Sequence, residues 1–130
     1  MTVQSDDAFP VTIYHNPACG TSRNVVALVE AAGYAPTVVE YLQAGWTRPQ
    51  LKALFAAMAV GPREVLRQNA PQAESLGLLD PATSDEAILD AMVVHPILVN
   101  RPIVVTPKGT RLARPADRVL ELLDRQPSAG

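Results

Sequence analysis

The sequence predicts an α/β protein built on a four-stranded mixed sheet. Three observations lead to this prediction. A strand, a helix and a second strand follow one another within about 32 residues, the usual length of a right-handed βαβ unit. The middle of the chain has the apolar spacing and cap signatures of several short helices. A strand, a turn, a return strand and a final helix then complete the order βαβ, helical insert, ββα.

The first third of the chain carries the βαβ unit. Residues 11–14 (VTIY) are β-branched and aromatic and predict the first strand, which ends before Pro17 because proline cannot donate to a sheet ladder. Residues 20–32 carry apolar side chains at helical spacing and are followed by Gly33, a common helix stop, so they predict the first helix. Residues 37–42 (TVVEYL) predict the second strand.

Cap signatures place the helices of the insert. Thr47 and Gln50 form a capping box ahead of one apolar helix. Thr83 and Glu86 repeat this signature ahead of another. Between the two, residues 63–68 predict one or two further helical turns.

The last third supplies the antiparallel part of the sheet. Residues 103–105 and 110–113 predict two strands, which the turn chemistry of residues 106–109 (TPKG) joins into a β-hairpin. Pro115 opens a final helix with an inward apolar face formed by Val119, Leu120, Leu122 and Leu123. The complete order is that of a thioredoxin-like (glutaredoxin-like) fold.

Length and composition limit the classes of protein to which the chain can belong. The 130 residues suit one domain, predicted at residues 10–125, between flexible tails at residues 1–9 and 126–130. A formal charge of -2 offers no attraction to polyanions, so we expect no nucleic-acid partner. The longest apolar run, residues 54–60, is far too short for a membrane span, and the N-terminal residues lack a signal-peptide pattern. We therefore predict a cytoplasmic protein without membrane contact.

Cys19 is the candidate catalytic residue. It is the only cysteine, so no internal disulfide can form, and its spacing from the two histidines is not that of a zinc site, so we expect no metal. It lies where the first helix begins, and the free N–H groups and macrodipole there favour a thiolate. The same donors, on Gly20, Thr21 and Ser22, can hold a bound oxyanion. We therefore predict a thiolate nucleophile in an anion site, against the alternative of a cysteine that only fills the core.

A second thiol has to come from outside the chain. The thioredoxin-type motif C-x-x-C is replaced here by Cys19-Gly20-Thr21-Ser22, which has no internal resolving thiol. Cys19 can therefore complete a redox cycle only with an external thiol.

Three stretches of sequence carry a resemblance to a known family. They are residues 15–23 (HNPACGTSR), residues 67–69 (RQN) and residues 95–115 (HPILVNRPIVVTPKGTRLARP). Over about residues 11–123 the sequence resembles the arsenate reductases that depend on glutathione and glutaredoxin. The chain departs from a member of that family at Ala113, where the member has a second cysteine.

The resemblance implies a function and a set of site residues. The cysteine that matches Cys19 attacks arsenate, and the histidine that matches His15 favours the thiolate. Three arginines, which match Arg67, Arg101 and Arg114, bind the substrate. Glutathione then serves as the co-substrate thiol without any bound cofactor, and glutaredoxin regenerates the cysteine.

The chemistry of the matching residues agrees with this function. Arsenate is a tetrahedral dianion at neutral pH, and a planar guanidinium can bind two of its oxygens at once while keeping its charge. Arg101 precedes Pro102 just before the third strand, where thioredoxin-like folds place a cis-proline beside the active cysteine, so Pro102 is the candidate for that residue. Reduction of arsenate takes two electrons, which Cys19 and an external thiol can supply together.

Two other functions are compatible with the same fold. A glutathione-dependent thiol-disulfide oxidoreductase would need Cys19 but not three arginines. A non-enzymatic regulator that binds RNA polymerase and senses thiol stress would carry a C-x-x-C switch, which Cys19 and Ser22 cannot form. The arginines and the single thiol favour the reductase, and at this point both alternatives remain open.

Overall fold

The computed structural model describes residues 9–127, and the chain divides into two compact units. The first unit combines the segment that ends at Glu40 with the segment that begins at Arg101. The second unit, Tyr41–Asn100, contains the segment that the sequence predicts as a helical insert.

The first unit contains the four-stranded sheet. Its strands are β1 (Thr12–His15), β2 (Thr37–Glu40), β3 (Ile103–Thr106) and β4 (Gly109–Leu112), in the order β2-β1-β3-β4. The β1–β2 pair is parallel, whereas the β1–β3 and β3–β4 pairs are antiparallel. The predicted fold class, a mixed sheet with the order βαβ, insert, ββα, is confirmed.

The core of the first unit lies between this sheet and two helical elements. Helix α1 (Gly20–Ala31) packs against the 3₁₀ helix Ala116–Leu122. The apolar side chains of α1 recur at helical spacing, so one face of the helix is buried. The buried set is Val11, Ile13, Val25, Val29, Ala32, Tyr34, Val104, Ala113, Val119, Leu122 and Leu123. The loop between β1 and α1 is therefore anchored to this core at both of its ends.

The second strand is shorter than predicted. β2 ends at Glu40, and the next four residues form the helical turn α2 (Tyr41–Ala44). Tyr41 is buried, its hydroxyl donates to the Val99 carbonyl over 3.2 Å, and its ring stacks on Trp46. These contacts hold Tyr41 within the second unit, so the strand stops before it.

The last helix of the chain is a 3₁₀ helix. The sequence predicts an ordinary helix with four inward apolar residues, but Leu120 is only half-buried. Val119 and Leu122 are three residues apart and both buried, and residues at this spacing lie directly above one another in a 3₁₀ helix. The spacing of the buried pair therefore suits the tighter helix.

Phe9, the last residue of the predicted N-terminal tail, and Arg125, which precedes the predicted C-terminal tail, both contact Tyr34. The rings of Phe9 and Tyr34 have centroids 5.3 Å apart, and the Arg125 guanidinium lies 4.3 Å from the centre of the Tyr34 ring. Residues 1–8 and 128–130, which make up most of those tails, lie outside the described residues.

The second unit is helical. It contains α2, α3 (Arg48–Met58), α4 (Pro62–Val65), α5 (Pro71–Ser75), α6 (Asp85–Val94) and the 3₁₀ turn Pro96–Leu98. α6 packs against α3, α4 and this turn. Within residues 9–127, no helix is both long enough and apolar enough to cross a membrane.

One of the two predicted helix caps is confirmed and the other is displaced by one residue. The Thr47 side chain accepts from the Gln50 N–H, and the Gln50 side chain accepts from the Thr47 N–H, as in a capping box. At α6 the cap is Ser84, which accepts from the Ala87 N–H over 3.1 Å. Thr83 instead donates its hydroxyl to the Gly77 carbonyl, so the prediction of Thr83 as the cap is wrong.

Candidate active site

The loop between β1 and α1 places Cys19 at the start of the helix. The Cys19 N–H donates to the Asn16 carbonyl over 2.9 Å, which closes a turn with Pro17 at its second position. Cys19 itself has extended backbone angles, and its carbonyl accepts from the Arg23 N–H over 3.0 Å. Cys19 is therefore the N-cap residue of α1, where the first N–H groups of the helix have no partner within the helix.

The Cys19 thiol is acidic for a cysteine. Only 7% of the residue is exposed, and this burial by itself raises its pKa. Hydrogen bonds from the Ser22 N–H and the Arg114 side chain, the charge of Arg101 and a hydrogen bond from the Thr21 N–H lower it, and together they bring the pKa to about 7. A substantial fraction of Cys19 is therefore a thiolate at neutral pH.

Two of the predicted arginines lie at this sulfur. Arg114 Nη1 is 3.7 Å from Cys19 Sγ and donates to the Arg101 carbonyl over 3.0 Å. Pro102 follows Arg101, and Ala113 precedes Arg114. The Ala113 N–H donates to the Pro102 carbonyl, and this hydrogen bond continues the β3–β4 ladder. The hairpin therefore brings two cations from separate stretches of sequence to the thiolate.

Pro102 follows Arg101 through a cis peptide bond, the geometry that the sequence indicates for this position. The Arg114–Pro115 bond is also cis, which the sequence did not indicate. Both candidate arginines of the first unit thus directly precede a cis-proline.

His15 is the last residue of β1 and is 8% exposed. Burial lowers its pKa, the Glu40 carboxylate raises it, and the Arg23 guanidinium lowers it, with a net lowering. The imidazole is therefore mainly neutral at pH 7. The groups that set the pKa of Cys19 are the helix N–H groups and the two arginines, and His15 is not one of them.

The three residues after Cys19 have different exposures. Ser22 is completely buried, its Oγ accepts from the Asn16 N–H over 3.3 Å, and its own N–H is the group that donates to the sulfur. Thr21 is half-buried and likewise faces the sulfur with its N–H. Gly20 is exposed, and a Cβ there would meet only the Arg23 Nη2 atom, at an ordinary contact distance of 3.7 Å.

Arg67 lies in the second unit, two residues after α4. Its N–H donates to the Leu98 carbonyl over 2.8 Å, and its Nε donates to Asn69 Oδ1 over 3.4 Å. The neighbouring Leu66 forms a β-bridge with Val99, so the backbone at Arg67 is held by the chain that leaves the 3₁₀ turn.

Sequence reasoning missed two residues of the site. Asn16 makes three hydrogen bonds within the loop, and the Arg23 guanidinium donates to the Pro17 carbonyl over 2.8 Å. The Asn-Pro pair is a turn signal that could have identified Asn16. Within residues 9–127 no group of three or more His, Cys, Asp or Glu side chains is placed to hold a metal ion.

Fold and site together define a thioredoxin-like protein with one reactive cysteine at a helix N-terminus and arginines around it. The family model described as the ArsC family matches residues 14–122. The chain is 60% identical over 118 residues to the arsenate reductase ArsI2 of Synechocystis sp., which covers 91% of this chain and 84% of that protein. It is 50% identical to an arsenate reductase of Escherichia coli, over 87% of this chain and 80% of that protein.

A solved structure is similar over nearly the same length. The arsenate reductase from Vibrio cholerae superposes with a TM-score of 0.84 at 40% identity, over 88% of this chain and 98% of that one. The chain therefore belongs to the ArsC family, and it is an enzyme.

Proposed function

We propose that this enzyme reduces arsenate to arsenite at Cys19, with glutathione as the external thiol and a glutaredoxin that regenerates the cysteine. The observation that carries the proposal is the position of Arg114 Nη1, 3.7 Å from the sulfur of a buried cysteine with a pKa of about 7. A nucleophile and a side chain that can bind an oxyanion thus lie at one site. The names of the similar proteins, arsenate reductases from Synechocystis sp. and Escherichia coli, support arsenate as the oxyanion.

Substrate capture is electrostatic. Arsenate carries about two negative charges at neutral pH, and Arg101 and Arg114 offer it guanidinium groups that stay protonated. Arg114 uses Nη1 toward the sulfur and the Arg101 carbonyl, which leaves other N–H donors of its five for an incoming oxygen. The free N–H groups at the start of α1 add positive potential at the same place.

The first chemical step forms a sulfur–arsenic bond. The Cys19 thiolate attacks the arsenic atom, and the bond from arsenic to its hydroxyl oxygen breaks as that oxygen accepts one proton from the solvent and leaves as water. Arsenic remains As(V) in this adduct, so no electrons have been transferred. The arginines stabilise the charge that builds up on the remaining oxygens. Such stabilisation by donors that are already in position is usually the largest single contribution to the rate of an enzymatic reaction.

The second step is the reduction. A glutathione thiolate attacks the Cys19 sulfur, a disulfide bond forms, and the sulfur–arsenic bond breaks with its electron pair on arsenic. The two sulfurs lose two electrons in total, and As(V) becomes As(III). Glutaredoxin then removes glutathione from Cys19 by thiol-disulfide exchange and restores the thiolate.

Arg67 is proposed as the third arginine, on the basis of its match to the family sequence. We expect it to bind the arsenic adduct rather than the incoming arsenate, so that Arg67→Lys slows turnover more than it weakens capture. Steady-state kinetics separates the two, because a loss in turnover lowers kcat and a loss in capture raises KM.

Arsenite production by the purified enzyme tests the proposal. The assay contains arsenate, glutathione and glutaredoxin, and each component is omitted in turn. We expect continuous arsenite production only in the complete mixture, at most about one arsenite per enzyme when glutaredoxin is omitted, and none from Cys19→Ser. Cleavage of a small glutathione mixed disulfide, measured beside it, identifies the alternative: an enzyme that cleaves this disulfide rapidly and leaves arsenate intact is a thiol-disulfide oxidoreductase.

A further inference from the structure

Asn16 makes contacts that the proposed mechanism does not use. It follows the last residue of β1 and is 5% exposed. Its N–H donates to Ser22 Oγ over 3.3 Å, its carbonyl accepts from the Cys19 N–H over 2.9 Å, and its side-chain Oδ1 accepts from the Ala18 N–H over 3.0 Å. A buried amide costs free energy unless its polar atoms are paired, so these bonds tie Asn16 to one conformation of the loop.

These three bonds connect the end of β1 to the first turn of α1. Pro17 has a fixed φ, and the bond from Ala18 to the Asn16 side chain closes the turn from inside. Ser22 is completely buried, so the hydroxyl that accepts from the Asn16 N–H is held in place by the core. Hydrogen bonds to the residues before Cys19 and to Ser22 after it therefore fix the direction in which the backbone enters α1.

We propose that Asn16 is a positioning residue, whose side chain closes the turn before Cys19 and holds the cysteine sulfur against the first N–H groups of α1. Its catalytic consequence rests on the proposed function, but its effect on the thiol does not. Arg101 and Arg114 also act on the sulfur, and both come from the segment that begins at Arg101 and not from the loop that contains Asn16. Two further charged groups, Glu40 at the end of β2 and Arg23 in α1, act on His15.

Alkylation of Cys19 by iodoacetamide as a function of pH tests this role. Asn16→Ala removes Oδ1, and we expect the midpoint to rise by about one pH unit, with an alkylation rate at pH 7 about fivefold lower. Asn16→Ser keeps a short acceptor that can close the same kind of turn, so it should recover about half of the shift. Asn24→Ala, at an exposed asparagine of α1, is the matched control and should keep the wild-type midpoint.

A second measurement needs no substitution. Ala18 is exposed, yet its N–H is bonded to Asn16, so its amide should exchange with deuterium at least about tenfold more slowly than an unprotected amide. If Asn16→Ala does not fold, this exchange and the Asn16→Ser midpoint decide the question. An unprotected Ala18 amide, or an Asn16→Ala protein that is less stable but has the wild-type midpoint, overturns the proposal.

The kinetic consequence is measured separately. We expect Asn16→Ala to lower kcat/KM for arsenate at pH 7 and to regain activity toward pH 9, because the thiolate then forms again. A wild-type enzyme that fails to reduce arsenate overturns the proposed function, while the shifted alkylation midpoint would still establish Asn16 as the residue that positions the thiolate.

Discussion

Arg48 and Arg63 in the second unit and Arg114 in the first unit have different kinds of partner. In the second unit, the Arg48 guanidinium forms ion pairs with Glu86 and Asp90, and the Arg63 guanidinium donates to backbone carbonyls of the segment before α6. In the first unit, Arg114 faces a sulfur, and among residues 9–127 it forms no ion pair with a carboxylate. The comparison indicates that an arginine's partners, rather than its presence, show whether the protein neutralises its charge or leaves that charge available to a ligand.

The difference has an electrostatic reason. The Arg48 pairs are exposed at the surface, where such pairs are worth about 0–1 kcal/mol, and they neutralise the guanidinium. Arg114 has only a thiolate and a neutral carbonyl as described partners, so its charge remains available to a further anion. Arg114 thus keeps its positive charge available at the site, whereas Arg48 and Arg63 use theirs in structural contacts, as Arg111 does in its ion pair with Glu121.

Removal of the nucleophile should have the largest effect. Cys19→Ser replaces the thiolate by a hydroxyl that is not ionised at neutral pH, so we expect arsenate reduction to fall by about a thousandfold or more. Arsenite formation measures this. The thermal unfolding midpoint should stay within a few degrees of the wild-type value, and a fully active Cys19→Ser enzyme would exclude Cys19 as the nucleophile.

Substitution of an arginine in each unit tests the comparison directly. Arg114→Lys keeps the charge but loses the planar guanidinium, which can bind two oxygens at once. We therefore expect about tenfold lower kcat/KM for arsenate, the scale of one charge-assisted hydrogen bond. Arg101→Lys should behave in the same way. Arg48→Lys is the matched control in the second unit and should leave kcat/KM unchanged; equal losses in both units would contradict the distinction.

The pH dependence should follow the Cys19 thiolate. With a pKa of about 7, the alkylation rate and kcat/KM should rise about tenfold from pH 6 to pH 8 and then level off. Arg114→Lys should move this midpoint upward, because the Arg114 hydrogen bond lowers the pKa. A wild-type midpoint at or above the free-cysteine value of about 8.5 would contradict the described site.

The same shift gives a smaller effect on stability. The pKa of Cys19 is lower in the folded protein than in the unfolded chain, so between about pH 7 and 8.5 the unfolded chain binds more protons. The contribution of Cys19 to the free energy of unfolding is therefore fully present above this window and is lost as the pH falls through 7. Urea unfolding of wild type and Cys19→Ser at pH 6 and pH 9 measures it as the difference between the two proteins.

A structural arginine should affect folding alone. Arg63→Ala removes the donors to the carbonyls of Leu78, Asp80 and Thr83, and we expect a loss of about 1–3 kcal/mol in the free energy of unfolding. The alkylation midpoint of Cys19 in the folded protein should be unchanged. A changed alkylation midpoint with an unchanged free energy of unfolding would show that Arg63 acts on the thiol and not on folding.

His15 should give the smallest effect on the thiol. Since burial keeps its imidazole mainly neutral, His15→Ala should move the alkylation midpoint of Cys19 by no more than a few tenths of a pH unit. A rise of a full unit would show that a charged His15 stabilises the thiolate after all.

The sequence by itself determined the fold class and the position of Cys19, the proposed nucleophile. Strand and helix periodicities are encoded within ten or so residues, and so is the signal that places Cys19 at the start of α1. The capping box at Thr47 was predictable for the same reason. Where two cap residues compete within one turn, as Thr83 and Ser84 do, local pattern is ambiguous, and the contact of Thr83 with the Gly77 carbonyl decides.

The tertiary structure alone decided which side chains act on the sulfur. Arg114 and Cys19 are 95 positions apart, and only the pairing of β1 with β3 and of β3 with β4 in the first unit brings them within 3.7 Å. The neutral state of His15 likewise follows from its burial in the packed protein. Long-range contacts depend on how whole elements pack, and no local pattern of residues encodes that packing.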